Sequence, residues 1–324
     1  MSGDWTWHGG ALAAAQRHFG GDARDWIDLS TGINPDPWPG VAGLAIDWQR
    51  LPEAGALTAL ETAAATSFGI DPGYVCAVPG SEIGLRLTGR LIGGTAHHVA
   101  PAYRTHGAMI AASTPVGADD MMQHGGTLIL ANPNNPDGRC LTPDMLAALL
   151  DRRDAGGWLL VDEAFADGDP AASVAPLVGD GARLIVFRSF GKFFGLAGVR
   201  LGFVIAPRDI VAGLRDLLGA WPVSAAAAAI GTAAYRDTGW IAATRAALPR
   251  RAAALDATLA RRGYTATGAC PLFRLIETEG AGALFERLAR TRILTRHFAE
   301  RPDWLRLGLP ADADALARLE AALG

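Results

Sequence analysis

Short uninterrupted apolar runs alternate with longer stretches of helical spacing through the middle of this chain. YVCAV (74–78), TLILAN (127–132), WLLVD (158–162), RLIVF (183–187) and LGFVIA (201–206) show no polar alternation, which predicts strands buried on both faces. Helical spacing near 82–92, 103–112 and 142–153 lies between several of them. A parallel strand must leave the sheet and return, so the alternation predicts an α/β domain with a mostly parallel central sheet and helices on both faces. TPDMLAALLDRR carries a capping Thr142, a proline in the first turn and basic residues at its end, the marks of a helix start and stop. From about 207 the pattern changes to long Ala-rich helices, then FRLIE (273–277), ILTRHF (293–298) and WLRLGL (304–309) around a helix near 281–290. This predicts a smaller C-terminal α+β domain. The expected division is an N-terminal segment of residues 1–30 contributing to the substrate site, a large domain over 31–206 and a small domain over 207–324.

At 324 residues, 50% hydrophobic and 19% charged, the chain has ample material for a folded core. Its formal net charge of -4 and pI near 6.0 give no basic footprint for nucleic acid, so the expected partner is a small molecule. Cys76, Cys140 and Cys270 are odd in number, far apart and in no metal-ligand spacing. They read as reduced thiols of a cytoplasmic protein that binds no metal. The opening MSGDWTWHGG lacks the regions of a signal peptide, and SAAAAAIGTAAY is too short and Ala-rich to span a membrane.

Polar segments follow three of the strands: ANPNNPDG (131–138), DEAF (162–165) and RSFGK (188–192). Ligands of parallel sheets collect at the carboxyl ends of strands, so these loops are expected to converge. Asn135 and Asp162 are 27 residues apart, and Asp162 and Lys192 are 30 apart, enough in each case for a helix and a return strand. A helix cap, a turn and a core aromatic would explain single members of such a set. A buried lysine and a buried acid at adjacent strand ends are better explained together by one ligand. An apolar surrounding keeps Lys192 a free amine part of the time, as a Schiff-base nucleophile requires. PGSEIG (79–84) follows a strand and opens a helix, so the backbone N–H groups of Gly80, Ser81 and Glu82 are candidates to cradle a phosphate.

The combination of NPNNPDG, DEAF and SFGK, with GVR following, resembles the fold type I pyridoxal 5'-phosphate enzymes of the aminotransferase class I and II group over most of the chain. The resemblance implies that fold, that cofactor and a homodimer with active sites near the interface. It implies that Lys192 carries the cofactor as a Schiff base, that Asp162 pairs with the pyridine nitrogen and that Asn135 bonds the phenolic oxygen. Ser189 and Arg200 would hold the phosphate, and Tyr103 of PAYRTH would stack on the ring. In WLRLGLP, Arg306 matches the family's arginine for a substrate α-carboxylate, so an amino acid is the expected substrate. Arg296 matches a substrate-phosphate contact of the histidinol-phosphate aminotransferase branch, with a solvated strand residue as the alternative.

WHGG (7–10) and DWIDLSTGINPDPWP (25–39) resemble the opening of the threonine-phosphate decarboxylases of cobalamin biosynthesis. On that resemblance His8, Ser30, Thr31 and Gly32 help bind the phosphate of L-threonine O-3-phosphate, and Asn34 lies close to the substrate. The expected reaction is decarboxylation to (R)-1-aminopropan-2-yl phosphate. A histidinol-phosphate-type or other aminotransferase, a carbon–sulfur lyase and a non-catalytic binding protein on the same fold remain alternatives. Two positions depart from the wider family: Phe165 stands where many members have a tyrosine, and Leu51 where relatives often have a tyrosine reaching the neighbouring subunit's cofactor.

Overall fold

The computed structural model describes residues 9–153 and 156–324. In chain order the strands are β1 (Ile27–Asp28), β2 (Val75–Val78), β3 (Thr95–Val99), β4 (Ala112–Val116), β5 (Thr127–Ala131), β6 (Leu159–Asp162), β7 (Leu184–Ser189), β8 (Gly202–Ile205), β9 (Ala266–Thr267), β10 (Phe273–Glu277), β11 (Ile293–Leu294), β12 (Arg296–His297) and β13 (Trp304–Gly308). The helices are α1 (Leu12–Phe19), α2 (Ala54–Phe68), α3 (Ser81–Ile92), α4 (Arg104–Ala108), α5 (Pro143–Asp151), α6 (Phe190–Phe193), α7 (Arg208–Leu218), α8 (Ala225–Arg236), α9 (Thr238–Arg261), α10 (Ala281–Arg290) and α11 (Ala313–Leu323).

The chain forms two compact units. The larger takes residues 37–135 and 140–245; the smaller takes residues up to 36, 136–139 and 246–324. The composition change at 207 therefore does not mark the division found in the contacts. α7 buries Ile210, Val211 and Leu214 in the same core as Cys76, Val78, Phe187 and Val204, and α8 packs on α2, so both helices belong to the larger unit.

The larger unit is built on a seven-stranded sheet in the order β2-β8-β7-β6-β5-β3-β4. Its strands pair in parallel except β8, which is antiparallel to both β7 and β2. The five strands read from the sequence are those buried at every position. One face, with Cys76, Ile129, Leu160, Ile185 and Val204, packs with Leu85 of α3 and Leu214 of α7. The alternate residues Val75, Leu128, Leu159, Leu184 and Phe203 are buried on the other face, where Phe203 meets Phe68 of α2. The helix expected over 103–112 is α4, which ends at Ala108, and β4, which the sequence did not reveal, begins at Ala112. It is an edge strand, half-exposed and containing Pro115, so its apolar signal is weak.

Register sets the functional end of this sheet. Gly202 pairs with Val78 on one side and Ser189 on the other, while Asp162 pairs with Ala131. Gly202 is required where it stands, because a Cβ there would lie 2.4 Å from the Ser81 nitrogen and 2.9 Å from the Arg188 carbonyl oxygen.

The smaller unit has an antiparallel sheet in the order β12-β13-β10-β9, with β1 and β11 forming a separate parallel pair. ILTRHF thus supplies two short strands rather than one, with Thr295 between them. α10 buries Leu284, Phe285 and Leu288, and α11 buries Leu319 and Leu323. Asp312 caps α11 through the Ala315 N–H at 2.8 Å, and Thr142 caps α5 through Met145, each a contribution of about 1 kcal/mol.

Candidate active site

One cavity of the larger unit is lined by Gly80, Ser81, Glu82 and Tyr103, by Asn135 and Asp162, and by Ser189, Lys192 and Arg200. The structure therefore brings together the three polar loops and the helix start that the sequence singled out.

At one end lies the first turn of α3. Gly80 has φ +90, and a Cβ there would come within 2.5 Å of the Arg200 guanidinium. The N–H groups of Ser81 and Glu82 belong to the first helical turn, where no intrahelical acceptor exists, and they form the positive end of a twelve-residue helix. Ser189 arrives through β7, and Arg200 sits at the end of a short turn in left-handed conformation with φ 55. Backbone donors, a hydroxyl and a guanidinium around a glycine with no room for a side chain make a cradle suited to a phosphate dianion.

At another wall Asp162 ends β6 and is 6% exposed. Its Oδ1 accepts the Ala164 N–H at 3.1 Å, and its Oδ2 lies 2.9 Å from Nε2 of His106. His106 is fully buried on α4, and nothing in the sequence reading had chosen it. Its signal was its place three residues after Tyr103, one helical turn along the same segment.

Lys192 lies on α6, half-buried, with its ammonium 5.7 Å from the centre of the Phe165 ring. The flanking phenylalanines have another task. Phe190 and Phe194 stack at 4.5 Å, and Phe194 stacks in turn on Trp240 and meets Tyr235 edge-on. They anchor the backbone that carries Lys192.

Beneath this end of the sheet, Arg188 bonds Glu163 at 2.7 Å and Asp167 at 2.5 Å, all three buried. Glu163 also accepts the Ser173 hydroxyl and the Val174 N–H. Burial raises the Glu163 pKa against the lowering effect of Arg188. Because Glu163 follows Asp162 and Arg188 precedes Ser189, the ion cluster pins the two strand ends that supply the cavity.

The NPNNPDG loop divides its labour. Asn132 is fully buried, and its side chain both donates to and accepts from Leu141, closing the loop. Asn134 donates to the Pro101 carbonyl, and Asn135 reaches the cavity.

The remaining candidates lie in the smaller unit, except His8, which lies outside the described residues. Arg296 and Arg306 are register partners on β12 and β13 and are both buried. Burial lowers the Arg306 pKa to about 10, with the charge of Arg296 adding to the effect. Arg306 donates to the Ser30 carbonyl at 2.9 Å. The Ser30 hydroxyl donates to Asp28 at 2.5 Å and accepts the Gly10 N–H at 2.8 Å. Its one proton is thus committed within the protein, which leaves Ser30 as a strap rather than a hydroxyl donor to a ligand. Thr31 and Gly32 follow this strap, and the Thr31 carbonyl lies where a Cβ on Gly308 would stand. Asn34 is buried, and its side-chain oxygen accepts the Asp36 N–H, a local turn bond. His297 lies 3.2 Å from the Pro302 carbonyl. Among the departures, Phe165 lines the cavity, and Leu51 is 63% exposed.

Residues 118–322 match the family of aminotransferase class I and II. The chain is 43% identical to a threonine-phosphate decarboxylase of Sinorhizobium sp, covering 97% of this chain and 98% of that protein. It is 39% identical to a threonine-phosphate decarboxylase of Pseudomonas aeruginosa, covering 98% and 96%. The crystal structure of histidinol-phosphate aminotransferase from Sinorhizobium meliloti in complex with pyridoxal-5'-phosphate shares the fold, with TM-score 0.82 at 20% identity over 96% of this chain and 94% of that one.

Proposed function

This chain belongs to the aminotransferase class I and II family, and we propose that it is a pyridoxal 5'-phosphate-dependent decarboxylase that converts L-threonine O-3-phosphate to (R)-1-aminopropan-2-yl phosphate for cobalamin biosynthesis. The observation that carries the reading is the single cavity in which a helix-start cradle, a buried carboxylate and a lysine stand together.

The residues present fit the cofactor. The cradle of Gly80, Ser81, Ser189 and Arg200 suits its phosphate, Asp162 its ring nitrogen, Asn135 its phenolic oxygen, Tyr103 its ring face and Lys192 its aldehyde. When bound, pyridoxal phosphate supplies an electron sink conjugated to the substrate Cα. Asp162 would keep a proton on the ring nitrogen, and His106, whose Nε2 lies 2.9 Å from Oδ2, holds Asp162 in place. Phe165 contributes a ring without a hydroxyl to the same wall. Arg306 takes the substrate α-carboxylate. Arg296, with His8, Thr31 and Gly32, takes the substrate phosphate, and Asn34 lies beside it. Two buried cations directly opposite one another suit a substrate carrying both a carboxylate and a phosphate. The bond from Cα to the carboxylate would break with its electron pair left at Cα, carbon dioxide would leave, and Lys192 in its ammonium form is the group suited to deliver the proton that Cα then takes up.

The reading includes a cytoplasmic homodimer. It draws on three free cysteines, on the finding that no helix among the described residues is long and apolar enough to cross a membrane, and on Leu51 and Trp221, two large apolar side chains exposed on the larger unit.

The test is to incubate the yellow holoenzyme with L-threonine O-3-phosphate and no keto acid, and to measure carbon dioxide. Stoichiometric release is expected. Turnover of histidinol phosphate that requires a keto-acid acceptor would overturn the reading in favour of an aminotransferase.

A further inference from the structure

Glu82 sits where a carboxylate needs explaining. It is the second residue of α3, beside the phosphate cradle, where an incoming dianion and a carboxylate repel one another. Only its backbone N–H was assigned a task above, yet three side-chain donors converge on it. Its Oε2 accepts the Tyr103 hydroxyl at 3.0 Å and the Thr105 hydroxyl at 2.8 Å, and its Oε1 accepts Nε of Arg86 at 2.6 Å.

The other end of the same segment is also held. The Tyr103 ring meets the His106 ring edge-on at 5.9 Å, the His106 N–H donates to the Tyr103 carbonyl at 3.0 Å, and His106 contacts Asp162. A single turn, residues 103–106, therefore runs from a carboxylate at the cradle to the carboxylate at the far wall. Tyr103 and Thr105 attach it at one end and His106 at the other.

We infer that Glu82 is a positioning residue for the cofactor: its side chain fixes the plane of the Tyr103 ring and ties the phosphate-cradling helix to the turn that holds Asp162. The inference rests on the cofactor reading above. It also gives the Tyr103 hydroxyl a defined role. The phenol proton is donated to Glu82, so Tyr103 presents a flat ring and supplies no proton to Cα. Burial, with the Glu82 charge adding, pushes the phenol pKa up to about 12, in keeping with a phenol that stays protonated.

The inference opposes a plain Coulomb expectation. If Glu82 merely stood near the phosphate, removing its charge would tighten cofactor binding. If it positions the ring, removing it weakens binding and alters the asymmetry of the bound chromophore. The experiment is a double-mutant cycle with Glu82→Ala, Tyr103→Phe and the pair, adding Glu82→Gln as the conservative variant. Pyridoxal phosphate affinity is titrated by absorbance, and visible circular dichroism is recorded on the holo forms. The expected result is about tenfold weaker binding for each single variant, a double variant no weaker than the worse single, partial recovery in Glu82→Gln, and a reduced visible dichroism band in Glu82→Ala. Tighter binding in Glu82→Gln, additive losses, or an unchanged dichroism band would overturn it. Tyr103→Phe removes only a hydroxyl, so it reports on the tether even if Glu82→Ala folds poorly. A wild-type protein that acquires no visible band would sink the cofactor reading as well, whereas a normal band with an additive cycle sinks this inference alone.

Discussion

The cavity of the larger unit and the arginine face of the smaller unit handle charge in opposite ways. In the larger unit each buried or half-buried acid near the site meets its donors within the protein: Asp162 with His106, Glu163 and Asp167 with Arg188, Glu82 with Tyr103, Thr105 and Arg86. In the smaller unit two buried cations, Arg296 and Arg306, stand as direct cross-strand neighbours, and burial lowers the affinity of Arg306 for its proton. The first arrangement is self-compensated and organises a cofactor site before anything binds. The second sets two like charges side by side, and an anionic substrate bound there would offset their repulsion. A resident cofactor and a transient substrate call for these two solutions.

The sharpest way to break this contrast is at Lys192. Lys192→Ala is expected to lower carbon dioxide release by about 10⁴-fold or more while leaving weak cofactor binding, read by single-turnover assay and absorbance. Asp162→Ala is expected to cost about 10²- to 10³-fold in rate and to weaken cofactor binding as well, since the cavity loses a preorganised charge. Arg306→Met is expected to cost about 10²-fold in kcat/KM with cofactor affinity unchanged; a loss of cofactor instead would show that the two regions do not divide their work as described.

Stability separates the regions further. Arg188→Met leaves two buried carboxylates without their cation and is expected to cost about 3–5 kcal/mol by denaturant titration of the apo protein. Its pH dependence has a definite sign. The Glu163 pKa is already raised in the folded state, and losing Arg188 raises it further. The folded state then holds protons that the unfolded chain releases, so the deficit is smallest at low pH and grows as pH rises from the unfolded carboxylate value through the folded one. Arg296→Met is expected to shift the apo melting midpoint less than Arg188→Met while raising KM. The smallest effect expected is His8→Ala, about three- to tenfold in KM with cofactor binding intact; no change in KM would remove His8 from the phosphate site.

Much of the cofactor end was legible before the fold was known, for a topological reason. Asn135, Asp162, Ser189 and Lys192 follow buried strands whose apolar runs are unmistakable, and parallel strands deliver their carboxyl ends to one edge. Edge strand β4 was hidden because a half-exposed strand with a proline carries little apolar signal. The extent of the larger unit was hidden as well, since α7 and α8 look like the helices that follow them and differ only in what they pack against. The bonds from His106 to Asp162 and from Tyr103 to Glu82 were hidden too, because these partners lie 56 and 21 residues apart along the chain; the helical spacing of Tyr103 and His106 was the one local hint.

The order of residues by itself determined where the five fully buried strands of the central sheet run, and therefore which polar groups stand at their ends. Short-range steric and hydrophobic preferences suffice for that. Only the folded packing decided which of those groups meet: that Ser30 spends its hydroxyl on Asp28 and Gly10, that the phenylalanines beside Lys192 anchor its backbone, and that Arg296 faces Arg306. Hydrogen bonds and charge interactions act over a few ångströms in space, and distance along the chain carries no record of them.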